Sequence, residues 1–121
     1  MDAADRRKHV RFKSNNLISY ESIDKDDKVV SNSMGKALNV SRSGILLETE
    51  NPIEEQYVFL MAVDLDNKLI ELKGRLIYCR ETQSGMYQAG IKFIGTEDEK
   101  AMFAVNLIKL YHHKLILQGA A

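Results

Sequence analysis

Residues 69–95 read LIELKGRLIYCRETQSGMYQAGIKFIG, and they hold two alternating runs. In the first, Ile70, Leu72, Leu76 and Tyr78 fall on one side, and Glu71, Lys73 and Arg75 on the other. In the second, Tyr87, Ala89, Ile91 and Phe93 alternate with Gln88, Gly90 and Lys92. Period two marks a strand with one face turned to a core, so two strands are predicted here. The intervening ETQSG, with Gly85, suits a hairpin connection, and Gly74 is expected to mark a bend. Cys79 follows the alternation onto the Lys73 and Arg75 side.

Beyond Gly95 the period changes. Thr96 offers a capping hydroxyl, and Glu97, Asp98 and Glu99 place acids at the positive end of a helix dipole. A helix is predicted from there to about Leu117, with Gly119 suited to its end. Phe103, Ala104, Leu107, Ile108, Leu110, Tyr111 and Leu115 share one wide face. Met102, Val105 and Ile116 lie outside it, so this helix carries more apolar surface than one contact needs. Before residue 69 the chain reads as short strands at 16–23, 34–40, 44–49 and 57–64. The polar run 24–33 is expected to be a loop or hairpin end, and 51–55, with Pro52, a connection. The apolar run YVFLMAVD at 57–64 suits a strand buried on both faces or at a barrel corner. About six strands without alternating helices exclude a doubly wound α/β fold. Antiparallel strands that must hide their edges close into a small barrel or a sandwich, and a barrel capped by the helix is the simplest arrangement.

Composition narrows the function. The chain has 121 residues, 45% hydrophobic and 28% charged, which is enough for one domain with a real core. Its 17 Lys and Arg balance 17 Asp and Glu, which argues against a generic nucleic-acid coat or a membrane-surface binder. Cys79 is the one cysteine, so an internal disulfide is excluded and a reducing compartment fits. No signal peptide or membrane-spanning run is legible, and a cytoplasmic location is expected. Any anion recognition must then be local. Arg6, Arg7, Lys8, Arg11 and Lys13 crowd the N-terminus, and Asn39-Val40-Ser41-Arg42-Ser43-Gly44 forms a polar turn between two strands. Arginine recognises phosphate and the guanine O6/N7 edge in bidentate fashion, so the pair suits an anionic ligand with hydrogen-bonding edges.

Arg7-Lys8-His9-Val10-Arg11 and Asn39-Val40-Ser41-Arg42-Ser43-Gly44 fit, in order, the two signatures of the PilZ family of bacterial cyclic di-GMP receptors. The run GIKFI, from Gly90 to Ile94, also looks like that family's late strand. The resemblance implies an all-β, six-stranded antiparallel, Greek-key-like barrel with a C-terminal α-helix. It divides the chain into a basic arm (1–14), a barrel (15–95) and a helix packed on it (96–118). By the same resemblance Arg7 and Arg11 grip phosphates and guanine, Asn39 and Ser41 meet the base edge and nearby polar groups, and Gly44 shapes the turn. Asn39 stands where Asp is common in the family, and an amide offers one acceptor oxygen where a carboxylate offers two. Arg6, directly before the first motif, implies a pair of ligand molecules per chain.

The resemblance thus implies a receptor that binds cyclic di-GMP, uses no further cofactor or metal, and works through an unidentified effector protein. The spare apolar surface of the helix suits such a partner or a homodimer. The bland reading of a basic N-terminal run is a solvated tail, and for Arg6–Lys13 only the paired motif overturns it. His112 and His113 lack matching ligands for a metal, and no nucleophile–base pairing suggests an enzyme. The rival classes are an adaptor of this fold that binds no nucleotide, and a small nucleic-acid-binding barrel. The second would want more aromatic platforms and a broader positive surface than this sequence supplies, so neither DNA nor RNA is expected as a partner.

Overall fold

The computed structural model describes residues 10–119. Strands β1 (Phe12–Ile23), β2 (Val29–Val40), β3 (Gly44–Thr49), β4 (Tyr57–Val63), β5 (Leu69–Glu81) and β6 (Tyr87–Ile94) precede one helix, α1 (Glu97–Gly119). All neighbouring strands are antiparallel, and the sheet closes in the order β1-β2-β3-β6-β5-β4. Because β4 returns to lie beside β1, the first four strands form a Greek key. Closure removes both sheet edges, as expected of a small all-β domain.

Three hairpins share one loop chemistry. Asp24 N–H donates to Lys28 O and Asp27 N–H to Asp24 O, and Asp64, Asn67 and Lys68 repeat the pattern. Thr82, Gly85 and Met86 form the third case. In each, the third loop residue is left-handed, with φ of 60° at Asp27, 65° at Asn67 and 85° at Gly85. This is a type I turn closed by a left-handed residue, a standard three-residue hairpin. Asp24 and Asp64 tighten it by accepting backbone N–H donors on their side chains. The polar run 24–33, expected to be a loop or hairpin end, is a hairpin end: a tight turn, after which Val29–Ser33 continue β2 opposite Ile23–Tyr20 of β1.

The interior is filled by alternate residues of all six strands, among them Ile18, Val40, Leu47, Leu60, Leu72 and Ile91. Strand β4 alternates as well, with Val58 and Leu60 buried and Tyr57, Phe59 and Met61 half-buried, so it is not covered on both faces. Gly74 sits in unbroken register with Val58 and Phe93. A Cβ there would meet Ile91 Cγ2 at 2.4 Å, so this glycine admits a neighbour's side chain and makes no bend. The helix packs chiefly on β1 and buries Phe103, Ala104 and Leu107. Phe103 meets Phe93 edge to face at 5.5 Å, the geometry that ring quadrupoles favour. Thr96 and Glu99 close its start as a reciprocal capping box: Glu99 N–H donates to Thr96 Oγ1 (3.1 Å), and Thr96 N–H to Glu99 Oε1 (2.8 Å).

Candidate functional site

Arg6 and Arg7 lie outside the described residues. Arg11 immediately precedes β1, which starts at Phe12 and pairs Phe12 with Val40 and Lys13 with Asn39. The barrel thus takes up the chain earlier than residue 15. Both β1 and β2 are irregular at this level. The β1–β2 register shifts between Lys13 and Asn16, where Asn15 is left-handed, and the β2–β3 register shifts between Ala37 and Asn39. An extra residue in a strand re-aims the side chains beside it. Ala37 and Val40 both face the core, and Asn39 is left on the outside. There Arg11 Nη1 donates to Asn39 Oδ1 at 2.8 Å, so the two sequence motifs meet directly.

The turn that follows is built around Ser41. Its N–H donates to Gly44 O at 2.9 Å. Its hydroxyl oxygen, on a residue only 3% exposed, accepts from the Ser43 and Gly44 N–H groups at 3.2 and 3.3 Å. The Ser41 side chain therefore organises the turn from within. Gly44 is required by close approach and not by a left-handed backbone. It pairs with Lys92 of β6, and a Cβ there would lie 2.4 Å from the Ile91 carbonyl oxygen.

Beside this turn lies a cavity of about 320 Å³, lined among others by Arg11, Ser43, Gly44, Tyr78, Gly90 and Lys92. Its lining holds two cations and no carboxylate, so its field favours an anion. Tyr78 is the member that alternation misplaced. The β5–β6 register shifts between Leu76 and Tyr78, so Ile77 is an extra residue in β5. Beyond it the phase inverts: Tyr78 turns outward, 44% exposed, and Cys79 packs against the core in its place. The ring lies flat against β6, where a Cβ on Gly90 would collide with Tyr78 Cε1 at 2.3 Å. Arg80 stands 5.8 Å from the ring centroid. That Tyr78 and Lys92 line this cavity was not legible in the sequence, because the inserted Ile77 that turns Tyr78 outward leaves no mark there. Among the described residues no group of three His, Cys, Asp or Glu side chains could hold a metal ion. No helix among them is long and apolar enough to cross a membrane.

A closed six-stranded barrel with a C-terminal helix, carrying Arg11 and the Asn39–Gly44 turn side by side, defines a PilZ-type domain. The family model described as PilZ domain matches residues 5–109, and the chain belongs to that family. Among solved structures, it is similar to the PilZ domain with c-di-GMP of YcgR from Escherichia coli, with a TM-score of 0.65 at 12% identity, covering 95% of this chain and 98% of that one. It is also similar to the K. pneumonia MrkH–c-di-GMP complex (TM-score 0.60, 16% identity, 90% and 55% covered). A third likeness is to the Bacillus subtilis inhibitor of motility MotI/DgrA (TM-score 0.57, 15% identity, 90% and 53% covered). At these identities the likeness establishes the fold. No curated protein sequence matches the chain.

Proposed function

We propose that this chain is a cyclic di-GMP receptor that binds its ligand between the Arg11–Asn39 contact and the Tyr78 face. One observation carries the reading: Arg11 and Asn39, 28 positions apart, are joined at 2.8 Å beside a cavity free of carboxylates. A guanidinium held by an amide is already positioned for phosphate, and a bidentate anion is a stronger partner than a neutral carbonyl. On binding, Arg11 turns to phosphate or the guanine Hoogsteen edge, and Asn39 Oδ1 is released to accept from a base N–H. Arg7 acts with Arg11 from the arm, and Lys92, which also lines the cavity, offsets further charge. Tyr78 supplies a flat face on which a purine stacks. Arg6 adds a guanidinium for a second, intercalated ligand molecule.

Calorimetric titration with cyclic di-GMP tests this. Saturable binding is expected, weakened roughly 10- to 100-fold in both Arg7→Ala and Arg11→Ala, the size of a lost charge-assisted hydrogen bond. A stoichiometry near two supports the role of Arg6. No heat at high ligand concentration, from protein shown to be folded and nucleotide-free, sinks the reading and leaves the adaptor in its place.

The output is a protein contact, and the fold supports a route to it. Asn16, just past the irregular start of β1, donates through Nδ2 to Ser14 Oγ and to Leu107 O of α1, each at 2.9 Å. Ligand that orders the arm draws on the same segment that holds the helix. Added nucleotide should therefore slow amide exchange in residues 10–16 and in α1 together. In Asn16→Ala the arm should still respond and the helix should not; a helix that still responds excludes this route.

A further inference from the structure

We propose that two copies of this chain associate through α1, running antiparallel, with the second half of each helix lying in a groove on the other. This goes beyond ligand binding and does not rest on it. Helix α1 buries Phe103, Ala104 and Leu107, but from His112 to its end every residue is exposed. Ile116 and Leu117 are 67% and 65% exposed. A helical extension of this length gains little from propensity alone, and its usual support is a packed apolar face. A second stripe runs opposite the buried one, with Met102, Val105, Lys109, His112 and Ile116 at alternating spacings of three and four. Met102 on it is 63% exposed.

Charge identifies the occupant. A groove of about 320 Å³ between α1 and β5 has Ile70, Met102 and Phe103 as its apolar lining. Its rim carries Glu71, Asp98 and Glu99, and its lining holds no cation. It therefore fits a segment that is both apolar and basic. Residues 109–117 have that character: they hold Lys109, His112, His113 and Lys114 together with Leu110, Leu115, Ile116 and Leu117, and no acid follows Glu99 in the helix. A straight helix cannot fold back into a groove along its own first turns, so the segment must come from another copy. Setting residues 112–114 of one helix against 97–99 of the other makes both grooves fill at once, as a two-fold interface requires. It also carries Leu115–Leu117 toward the exposed Ile94 at the end of the partner's β6.

Sedimentation equilibrium with charge reversals tests the pairing. The first variant, Glu71→Lys with Asp98→Lys, sets a basic groove against a basic helix. The second, Lys109→Glu with Lys114→Glu, sets an acidic helix against an acidic groove. Wild-type chain is expected to dimerise reversibly, and each variant should raise the dimer Kd about tenfold or more with its far-UV circular dichroism unchanged. An equimolar mixture of the two should recover association, because both grooves of the mixed dimer are then matched. A wild type that stays monomeric up to about 0.5 mM, a range where even weak self-association registers, overturns the proposal. So do variants that dimerise like wild type, or a mixture that fails to recover. The groove shares no residue with the nucleotide cavity, so cyclic di-GMP titrations of the same variants should be unchanged.

Discussion

At the scale of single residues, Tyr78 has the environment of a stacking platform. Its ring is half exposed, braced from beneath by the bare backbone of Gly90, with the Arg80 guanidinium over it at 5.8 Å from the centroid. The brace matters because a ring free to turn loses entropy when a base lies on it, and one already held flat loses less. Aromatic stacking on a base is worth about 1–3 kcal/mol by alanine substitution. Tyr78→Ala should therefore weaken cyclic di-GMP binding roughly tenfold, while Tyr78→Phe, which keeps the ring, should bind within about twofold of wild type. Titration of the two variants side by side separates stacking from a hydroxyl contact. Equal binding in Tyr78→Ala and wild type would remove the ring from the site.

At the scale of elements, the helix start offers a pH test. The Glu99 carboxyl is held below its ordinary value of 4.5, first by the Thr96 backbone N–H and then by the Thr96 hydroxyl. A lowered folded-state pKa contributes stability that is present above the unfolded value and lost as pH falls through the folded one. Thermal stability should therefore fall as pH drops below about 4.5, and Glu99→Gln should flatten that part of the acid limb. An acid limb unchanged in Glu99→Gln would show that the capping carboxylate contributes nothing to it. The helix start was legible because its parts are adjacent in sequence: the Thr96 hydroxyl directly precedes three acids and an apolar run, although the reciprocal Glu99 bond was not read from them. The alternation of Tyr87, Ala89, Ile91 and Phe93 was legible for the same reason. Extra residues were not. Ile77 looks like any strand residue, yet its insertion inverts Tyr78 and Cys79. Val29–Ser33 fell within a polar run that suited a loop or hairpin end, whereas backbone pairing to β1 makes them strand. The Arg11 and Asn39 motifs could be read separately, but their meeting depends on two register shifts at one level of the barrel.

At the scale of the whole molecule, zero formal net charge sets what binding should do in salt. With 17 cations against 17 anions there is no broad positive field, only local ones such as the pair Arg11 and Lys92 beside the cavity. Cyclic di-GMP carries two phosphates and is too small to condense counterions as a polymer does. Its affinity should therefore fall only by screening, less than about tenfold between 50 and 200 mM salt. A barrel that used its basic arm to grip a nucleic-acid backbone would behave differently. Six to ten phosphate contacts would lose about 10³–10⁵ in affinity over the same range. Titrations with cyclic di-GMP and with a single-stranded oligonucleotide at both salt concentrations distinguish the two. Shallow dependence for the dinucleotide and no measurable oligonucleotide binding are the expected results. Tight, steeply salt-dependent oligonucleotide binding would instead give the arm to nucleic acid, and the Arg11–Asn39 contact would then be a structural tie between β1 and β2.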